Sequence, residues 1–256
     1  MRPMIGRAFP STVLTMNTMR LSFTLPALIA SVAFISACTP WDCEKGAGAP
    51  VKQPLAVATF HGIVVEGSLE VRLSRSDAQQ VDAEGQANLI ALITTEVKNG
   101  VWHIGTKRCY STDKPFIVHI AVPTLDLVSV QGSGDVKGDD TFTMDEIDLE
   151  VQGSGELRLA VAAKTVRATV QGSGDIDLKG TCASLNASVQ GSGDIDAGGL
   201  KATSGKAEVA GSGDITVEAV EVLDASIAGS GDINYRGDPA KVNKNIAGSG
   251  DIKQVK

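Results

Sequence analysis

A four-residue motif, Gly-Ser-Gly followed by an acidic residue, recurs seven times in the C-terminal half of this 256-residue chain. Successive copies begin 18 to 21 residues apart. The copies are Gly132-Ser133-Gly134-Asp135, Gly153-Ser154-Gly155-Glu156, Gly172-Ser173-Gly174-Asp175, Gly191-Ser192-Gly193-Asp194, Gly211-Ser212-Gly213-Asp214, Gly229-Ser230-Gly231-Asp232 and Gly248-Ser249-Gly250-Asp251. An internal period of this size is typical of solenoids, in which each repeat packs mainly against its neighbours.

Each copy has alternating apolar residues on both sides of the motif. Ile147, Leu149 and Val151 precede one copy, and Leu157 and Leu159 follow it. A period of two is typical of strands with one buried face, and a coil this thin must stack on its neighbours to close a core. We therefore predict an all-β fold, a single-stranded parallel β-helix of about seven coils over residues 126–256. At about 4.8 Å per coil it would be roughly 34 Å tall, and the crossover rule favours a right-handed coil.

Two other repeat architectures fit the sequence less well. An antiparallel β-meander also has regularly spaced strands, but it does not need the same turn at the same place in every repeat. A calcium-binding β-roll repeats every nine residues with Gly-Gly-x-Gly-x-Asp, which this chain lacks. Aromatic residues make up only 4% of the chain, which agrees with a thin core of aliphatic side chains.

The glycines of the motif are expected to form the corners of the coils. Glycine adopts positive φ and lets neighbouring backbones pass closely. The serine hydroxyls would then form a ladder, and the acids would accept hydrogen bonds from backbone N–H groups. The predicted turn glycines are Gly132, Gly134, Gly172, Gly174, Gly191, Gly193, Gly211, Gly213, Gly229 and Gly231.

The acids of the motif have a second interpretation, as a column of cation ligands. Carboxylates about 5 Å apart in water repel by roughly 0.8 kcal/mol, and a bound hard cation would relieve this repulsion. Backbone hydrogen bonds and salt screening can offset so small an energy, and the longer Glu156 would disturb strict coordination. The structural role is therefore preferred, and no cofactor is expected. The weak metal candidates are Asp135, Asp175, Asp194, Asp214, Asp232 and Asp251.

Residues 55–125 are predicted to be a β-rich region packed on the β-helix. Ser68–Ser74 alternates polar and apolar residues, and Phe116–Val122 is rich in β-branched and aromatic residues. Asn99-Gly100 predicts a hairpin turn, and Asn88–Leu92 is compatible with one helical turn.

The first 37 residues have the features of an export signal. The apolar run Leu21–Ala37 follows basic residues and is too short and interrupted for a membrane-spanning helix. It ends in Ile35-Ser36-Ala37-Cys38, which resembles the lipobox of bacterial lipoproteins. That resemblance implies a signal peptide over 1–37, lipid such as palmitate on Cys38 and, because Thr39 follows, sorting to the outer membrane. An ordinary secretory signal cut near Ala37 is the alternative.

Residues 38–54 contain several prolines and glycines, and they are predicted to be a flexible tether between the lipid and the fold. Cys43, Cys109 and Cys182 follow the lipidation site, in a compartment where disulfides persist. Cys43–Cys109 is the favoured pair, which would leave Cys182 free, although spacing alone does not assign it.

The charge of the exported part, residues 38–256, limits its partners. This part has 20 basic and 30 acidic side chains, a net charge of −10. An acidic surface repels phosphate backbones, so nucleic acid is excluded as a partner and the lipid is expected to be the membrane link.

Two features together resemble the head GIN domain family, also called the auto-transporter adhesin head domain. They are the segment Phe60-His61-Gly62-Ile63-Val64-Val65-Glu66-Gly67-Ser68-Leu69-Glu70-Val71 and the later Gly-Ser-Gly-Asp series. The resemblance covers about residues 58–245. It implies an exported bacterial protein, often a lipoprotein, with a β-helical fold and no assigned catalytic residues.

These observations favour a non-enzymatic cell-envelope lipoprotein whose adhesin-like head binds a glycan or a protein. The exposed candidates between the corners are Glu150, Gln152, Arg167, Thr169, Gln171, Ser188 and Gln190. A structural protein that faces the periplasm, without an external ligand, is the alternative. A β-helix enzyme acting on polysaccharides is a minor one, because such short repeats leave no room for cleft-forming loops. It stays open whether a second copy of the chain covers the last coil near Lys253–Lys256 and so forms a homo-oligomer.

Overall fold

A computed structural model describes residues 43–256 of the chain. The predicted signal peptide, the lipidation site Cys38 and residues 38–42 of the predicted tether lie outside the described residues. The first strands are β1 (Glu44–Lys45), β2 (Pro50–Pro54), β3 (Gly62–Gly67), β4 (Glu70–Arg75), β5 (Gln80–Gln86), β6 (Val97–Lys98), β7 (Val101–Ile104), β8 (Tyr110–Ser111) and β9 (Ile117–Val122), with the helix α1 (Ala87–Ile90). The later strands are β10 (Leu127–Gly132), β11 (Asp135–Gly153), β12 (Glu156–Gly172), β13 (Asp175–Gly191), β14 (Ile195–Gly211), β15 (Ile215–Gly229), β16 (Ile233–Arg236), β17 (Lys241–Gly248) and β18 (Ile252–Gln254).

The later strands stack as a parallel β-helix of about seven turns, as predicted. Each strand pairs with the next one in parallel, in the order β10-β11-β12-β13-β14-β15-β16-β18, and β17 pairs with β15. The motifs are in register, so that Gly153 lies opposite Gly132 on one side and Gly172 on the other. Parallel pairing in every coil excludes the antiparallel meander.

The core consists of columns of inward side chains, one from each coil. Val151, Val170 and Val189 form one such column, and each is fully buried. The next column towards the start of the strands is formed by Leu149, Ala168, Ala187, Ala207 and Ala225. Burying one Val or Leu side chain stabilises the fold by about 1.5–3 kcal/mol, so stacking supplies what a single coil lacks.

The corners depend on both glycines of the motif, but for different reasons. The first glycine has positive φ, as at Gly153 with φ 127°. The second glycine is needed for close approach, since a Cβ on Gly134 would lie 2.6 Å from the carbonyl oxygen of Leu69. The serines of the motif were predicted to bond through their hydroxyls, but they bond to the preceding coil through their backbone N–H groups. For example, the N–H of Ser173 donates to the carbonyl oxygen of Gly153 at 2.8 Å.

The β-helix begins earlier than the predicted boundary at residue 126. β3 pairs in parallel with β10, and β4 pairs in parallel with β11. Gly67 therefore lies opposite Gly132, and Glu70 lies opposite Asp135. Gly67-Ser68-Leu69-Glu70 is thus an additional corner, in which Leu replaces the second glycine. The boundary was wrong because a long excursion of the chain separates this coil from the repeats.

That excursion closes the N-terminal end of the β-helix. β7 and β9 pair in parallel with β3 and β4, and so form a further layer outside them. β5 pairs antiparallel with β9, and β6 pairs antiparallel with β7 through the predicted hairpin turn at Asn99-Gly100. The helix α1 overlaps the helical turn predicted at Asn88–Leu92. Antiparallel strands cover the parallel edge, which protects it from pairing with other chains.

The structure differs from the predicted flexible tether over its last residues. Cys43 forms a disulfide with Cys109, and β2 pairs antiparallel with β5. β2 contains Pro50 and Pro54, which an edge strand tolerates because one of its sides needs no backbone donors. Cys182 is free and buried, and burial raises the pKa of its thiol to about 11.

Candidate binding face

From Asp175 onward the acids of the motif form a hydrogen-bonded ladder along the corner. The Oδ1 atom of each Asp accepts a hydrogen bond from the backbone N–H of the Asp in the next coil. The N···O distances are 3.1 Å for Asp194 on Asp175, 2.7 Å for Asp214 on Asp194, 2.7 Å for Asp232 on Asp214 and 2.8 Å for Asp251 on Asp232. Hydrogen bonds to an ionised acceptor are about twice as strong as neutral ones, so these carboxylates hold the corner together.

The first acids of the column are held differently. The backbone N–H groups of Asp135, Glu156 and Asp175 donate to backbone carbonyls of the preceding coil. The amine of Lys137 lies 3.3 Å from the carboxylate of Asp135 and 3.9 Å from that of Glu156. Arg158 also pairs with Glu156. Cations within the chain therefore reduce the repulsion that the sequence predicted for this column.

The weak metal candidates thus have uses within the fold. The carboxylates of Asp135, Asp175, Asp194, Asp214 and Asp232 each have a partner, and Asp251 contributes its N–H to the ladder. Within residues 43–256, no group of three or more His, Cys, Asp or Glu side chains is placed to hold a metal ion. The structural role of the column is the one the geometry supports.

The strands that enter the corners present a flat outward surface, which we call the glutamine face. Gln131, Gln152, Gln171 and Gln190 lie in successive coils in direct register, and all four are exposed. At about 4.8 Å per coil, this column of amides spans about 14 Å. The column continues with Ala210, Ala228 and Ala247.

Two more columns of the glutamine face run beside the amides. The nearer one contains Glu150, Thr169, Ser188, Glu208, Ser226 and Asn245. The farther one contains Asp148, Arg167, Asn186, Lys206, Asp224 and Asn243. Arg167 lies 3.1 Å from Asp148, and Lys206 lies 2.9 Å from Glu208. Because these charges are paired locally, the face is suited to recognition by hydrogen bonds rather than by long-range attraction.

All the exposed candidates from the sequence lie on this one face. The register places Glu150, Thr169 and Ser188 side by side, and it does the same for Gln152, Gln171 and Gln190. Sequence reasoning missed the first coil of the face, where Glu66 lies opposite Gln131. The sequence did indicate this coil, because Gly67-Ser68-Leu69-Glu70 differs from the repeated motif in only one residue.

A parallel β-helix with a closed N-terminal end and flat polar faces defines a class of elongated proteins that offer extended surfaces. The family described as "Putative auto-transporter adhesin, head GIN domain" matches residues 59–239. The chain belongs to this family, which confirms the resemblance seen in the sequence.

Solved structures of bacterial proteins share this fold. A protein from Bacteroides fragilis NCTC 9343, described as a putative adhesin, has a TM-score of 0.78 and 28% identity over 82% of this chain and 99% of its own. A putative adhesin from Parabacteroides distasonis ATCC 8503 has a TM-score of 0.69 and 28% identity over 84% of this chain and 100% of its own. A putative lipid binding protein from the same organism has a TM-score of 0.69 and 25% identity over 83% and 99%.

No curated protein is similar enough to this chain to count as a relative. The family and the structural neighbours are described as adhesins or as lipid binding, and none of these descriptions names an enzyme. Among residues 43–256, no helix has the length and apolar character needed to cross a membrane.

Proposed function

We propose that this chain is a non-enzymatic cell-envelope protein that binds a glycan or a protein through the glutamine face. The observation that carries the proposal is the register of seven coils, which aligns the outward side chains in three straight columns. Two of these columns are polar to the last coil, and the third is polar over its four glutamines. The face is about 34 Å by 20 Å, or about 700 Å². Each partner in a standard protein interface contributes about 600–1,000 Å², and the area of the face falls within this range.

Anchorage through lipid on Cys38, in the outer membrane, is part of this proposal. The disulfide Cys43–Cys109 ties the chain to the fold only five residues after the lipidation site. Five extended residues span at most about 18 Å, so the closed N-terminal end would lie near the membrane surface. The descriptions of the structural neighbours as adhesins support a place in the cell envelope.

Two substitutions in the same strand test the face. Gln190→Arg puts a long cation in the middle coil of the glutamine face, and Thr181→Arg makes a similar change at an exposed site outside that face. The full-length protein and both variants are applied to a glycan array and to envelope proteins from the same cells. We expect specific binding that Gln190→Arg weakens by about tenfold and Thr181→Arg leaves unchanged. Absence of any specific partner, or equal losses in both variants, would contradict the proposal.

The side of the membrane on which the head lies is tested on intact cells. External protease should cleave the head if it contacts partners outside the cell. Protection until the outer membrane is breached would favour the alternative, a structural protein facing the periplasm. The minor alternative, an enzyme acting on polysaccharides, is tested by incubating the protein with uronate polymers. Cleavage of a polymer that is lost when one carboxylate is changed would identify the protein as an enzyme.

A further inference from the structure

A cleft of about 350 Å³ lies beside the first two corners, and no residue of the glutamine face lines it. One wall is the corner itself, with Ser68, Glu70, Ser133 and Asp135. The opposite wall is the loop after the disulfide, with Tyr110, Thr112, Lys114, Pro115 and Phe116. Small-molecule sites usually measure about 300–1,000 Å³, so this cleft can hold a small ligand or the end of a longer one.

The loop that forms the opposite wall is held rigidly. Its first residues are fixed by the disulfide of Cys109. The hydroxyl of Tyr110 donates to the carbonyl oxygen of Ser68 at 3.2 Å, and its ring meets the ring of Phe116 edge-on at 5.0 Å. Thr112 donates from Oγ1 to Oε1 of Gln86 at 2.7 Å. A wall that is ordered before binding reduces the entropy lost on association.

The two carboxylates of the cleft belong to neighbouring coils. Glu70 and Asp135 lie opposite each other in the register, on strands whose backbones are about 4.8 Å apart. Each has a cation on its own strand, with Arg72 at 2.9 Å from Glu70 and Lys137 at 3.3 Å from Asp135. The amine of Lys114, in the opposite wall, is likewise paired with the acid next to it in the chain. These pairs leave carboxylate oxygens available as acceptors without a strong net field. A charged ligand therefore gains little here, whereas a ligand with many hydroxyls gains several hydrogen bonds.

The opposite wall adds an apolar surface to these acceptors. Tyr110 is half-buried and lines the cleft beside Pro115. A tyrosine ring offers a large, rigid, apolar area, while its hydroxyl remains polar. Exposed hydroxyls of Ser68 and Ser133 complete the polar side. The apolar surfaces of Tyr110 and Pro115, which lie within a mostly polar cleft, together with the carboxylates and hydroxyls match a sugar ring, which has both C–H surfaces and hydroxyl groups.

We propose that this cleft is a binding site for a neutral saccharide. Glu70 and Asp135 accept hydrogen bonds from sugar hydroxyls, and Tyr110 and Pro115 cover the apolar surface of the ring. The site is separate from the glutamine face, so this inference goes beyond the proposed function and does not require it.

The test uses the full-length protein in a detergent without a sugar head group. Maltotriose, cellotriose and chitotriose are the neutral probes, and trigalacturonate is the charged comparison. Calorimetric titration should show saturable binding of at least one neutral trisaccharide. Asp135→Asn and Glu70→Gln should each weaken it about tenfold, since each removes a charged acceptor. Asp175→Asn, two coils away in the same column, is the matched control and should leave the affinity unchanged.

Three results would overturn the cleft as the site. They are no binding of any neutral trisaccharide, tighter binding of trigalacturonate, and an equal loss of affinity in Asp175→Asn. Gln190→Arg separates the two proposals. If it abolishes saccharide binding while Asp135→Asn does not, the sugar lies on the glutamine face, and only the proposal for the cleft fails.

Discussion

The backbone N–H of Asp232 donates a hydrogen bond of 2.7 Å to Oδ1 of Asp214, one coil earlier along the corner. The same relationship joins Asp214 to Asp194 and Asp251 to Asp232. Five consecutive corners, from Asp175 to Asp251, are thus joined by four hydrogen bonds between side chain and backbone. The acid of the motif therefore fixes the spacing between neighbouring coils.

Asp214→Ala should destabilise the protein by about 1–3 kcal/mol, because the N–H of Asp232 loses its acceptor. Asp214→Asn keeps an amide oxygen at the same place and should cost clearly less. Urea denaturation of both variants measures the difference. If Asn proves as destabilising as Ala, the charge matters more than the hydrogen bond, and the ladder is not what fixes the corner.

Gly193→Ala should be among the most damaging single changes, at about 3 kcal/mol or more. The added Cβ would overlap the carbonyl oxygen of Gly174 in the coil before it. Gly205→Ala is the matched control, since its Cβ would lie 3.4 Å from Cδ1 of Leu223, which is ordinary contact. That control should be neutral or stabilising by about 0.5–1 kcal/mol. Similar losses in the two variants would show that the corners tolerate a side chain.

The pair formed by His61 and Asp126 should make the stability of the protein depend on pH. Nδ1 of His61 lies 2.8 Å from Oδ1 of Asp126, and this hydrogen bond, together with the charge of Asp126, raises the pKa of His61 above 6.5. The pKa in the folded state exceeds that in the unfolded state. The stabilisation is therefore fully present below about pH 6.5 and is lost as the pH rises through the higher folded pKa.

The size of this pH effect should be small, because the two side chains are 56% and 57% exposed. Exposed pairs contribute about 0–1 kcal/mol. The melting temperature of the protein should fall slightly between about pH 6 and pH 8, and Asp126→Asn should reduce that fall. An unchanged pH dependence in Asp126→Asn would assign the effect to other groups.

Lys244 should keep the last coil from pairing with another chain. It lies opposite Ala225, in the inward column, and its amine donates to the carbonyl oxygen of Ile252 at 2.6 Å. The same amine lies 5.1 Å from the centre of the Tyr235 ring. Among the described strands, β17 pairs only with β15, and inward-pointing charges protect such an edge.

Lys244→Val should therefore cause association that increases with concentration, because it leaves an apolar row on an unpaired edge. Lys241→Val, at an exposed position of the same strand, is the control and should behave like the unmodified protein. Sedimentation of the three proteins over a range of concentrations measures this. A Lys244→Val protein with the same sedimentation as the unmodified one would show that Lys244 does not protect the edge.

Much of the glutamine face could be predicted from the sequence. Glu150, Gln152, Thr169 and Gln171 alternate with buried residues, and the repeat fixes which of them are neighbours. The cleft beside Tyr110 could not be found in this way. One wall comes from the first two corners and the other from the segment that follows Cys109, and the disulfide and the pairing of β9 with β4 bring the two walls together.

The sequence by itself determined the coil, its corner and its buried rows. A regular period and alternating apolar residues permit few folds, and glycine pairs are needed where backbones pass so closely. Only the tertiary structure decided where the β-helix starts, because β7 and β9 form a layer outside β3 and β4 although they follow them in the chain. It also decided that β2 is a strand, since β2 is held by β5. Pairing between distant segments depends on the edges and registers that the folded chain offers, and a local pattern does not encode them.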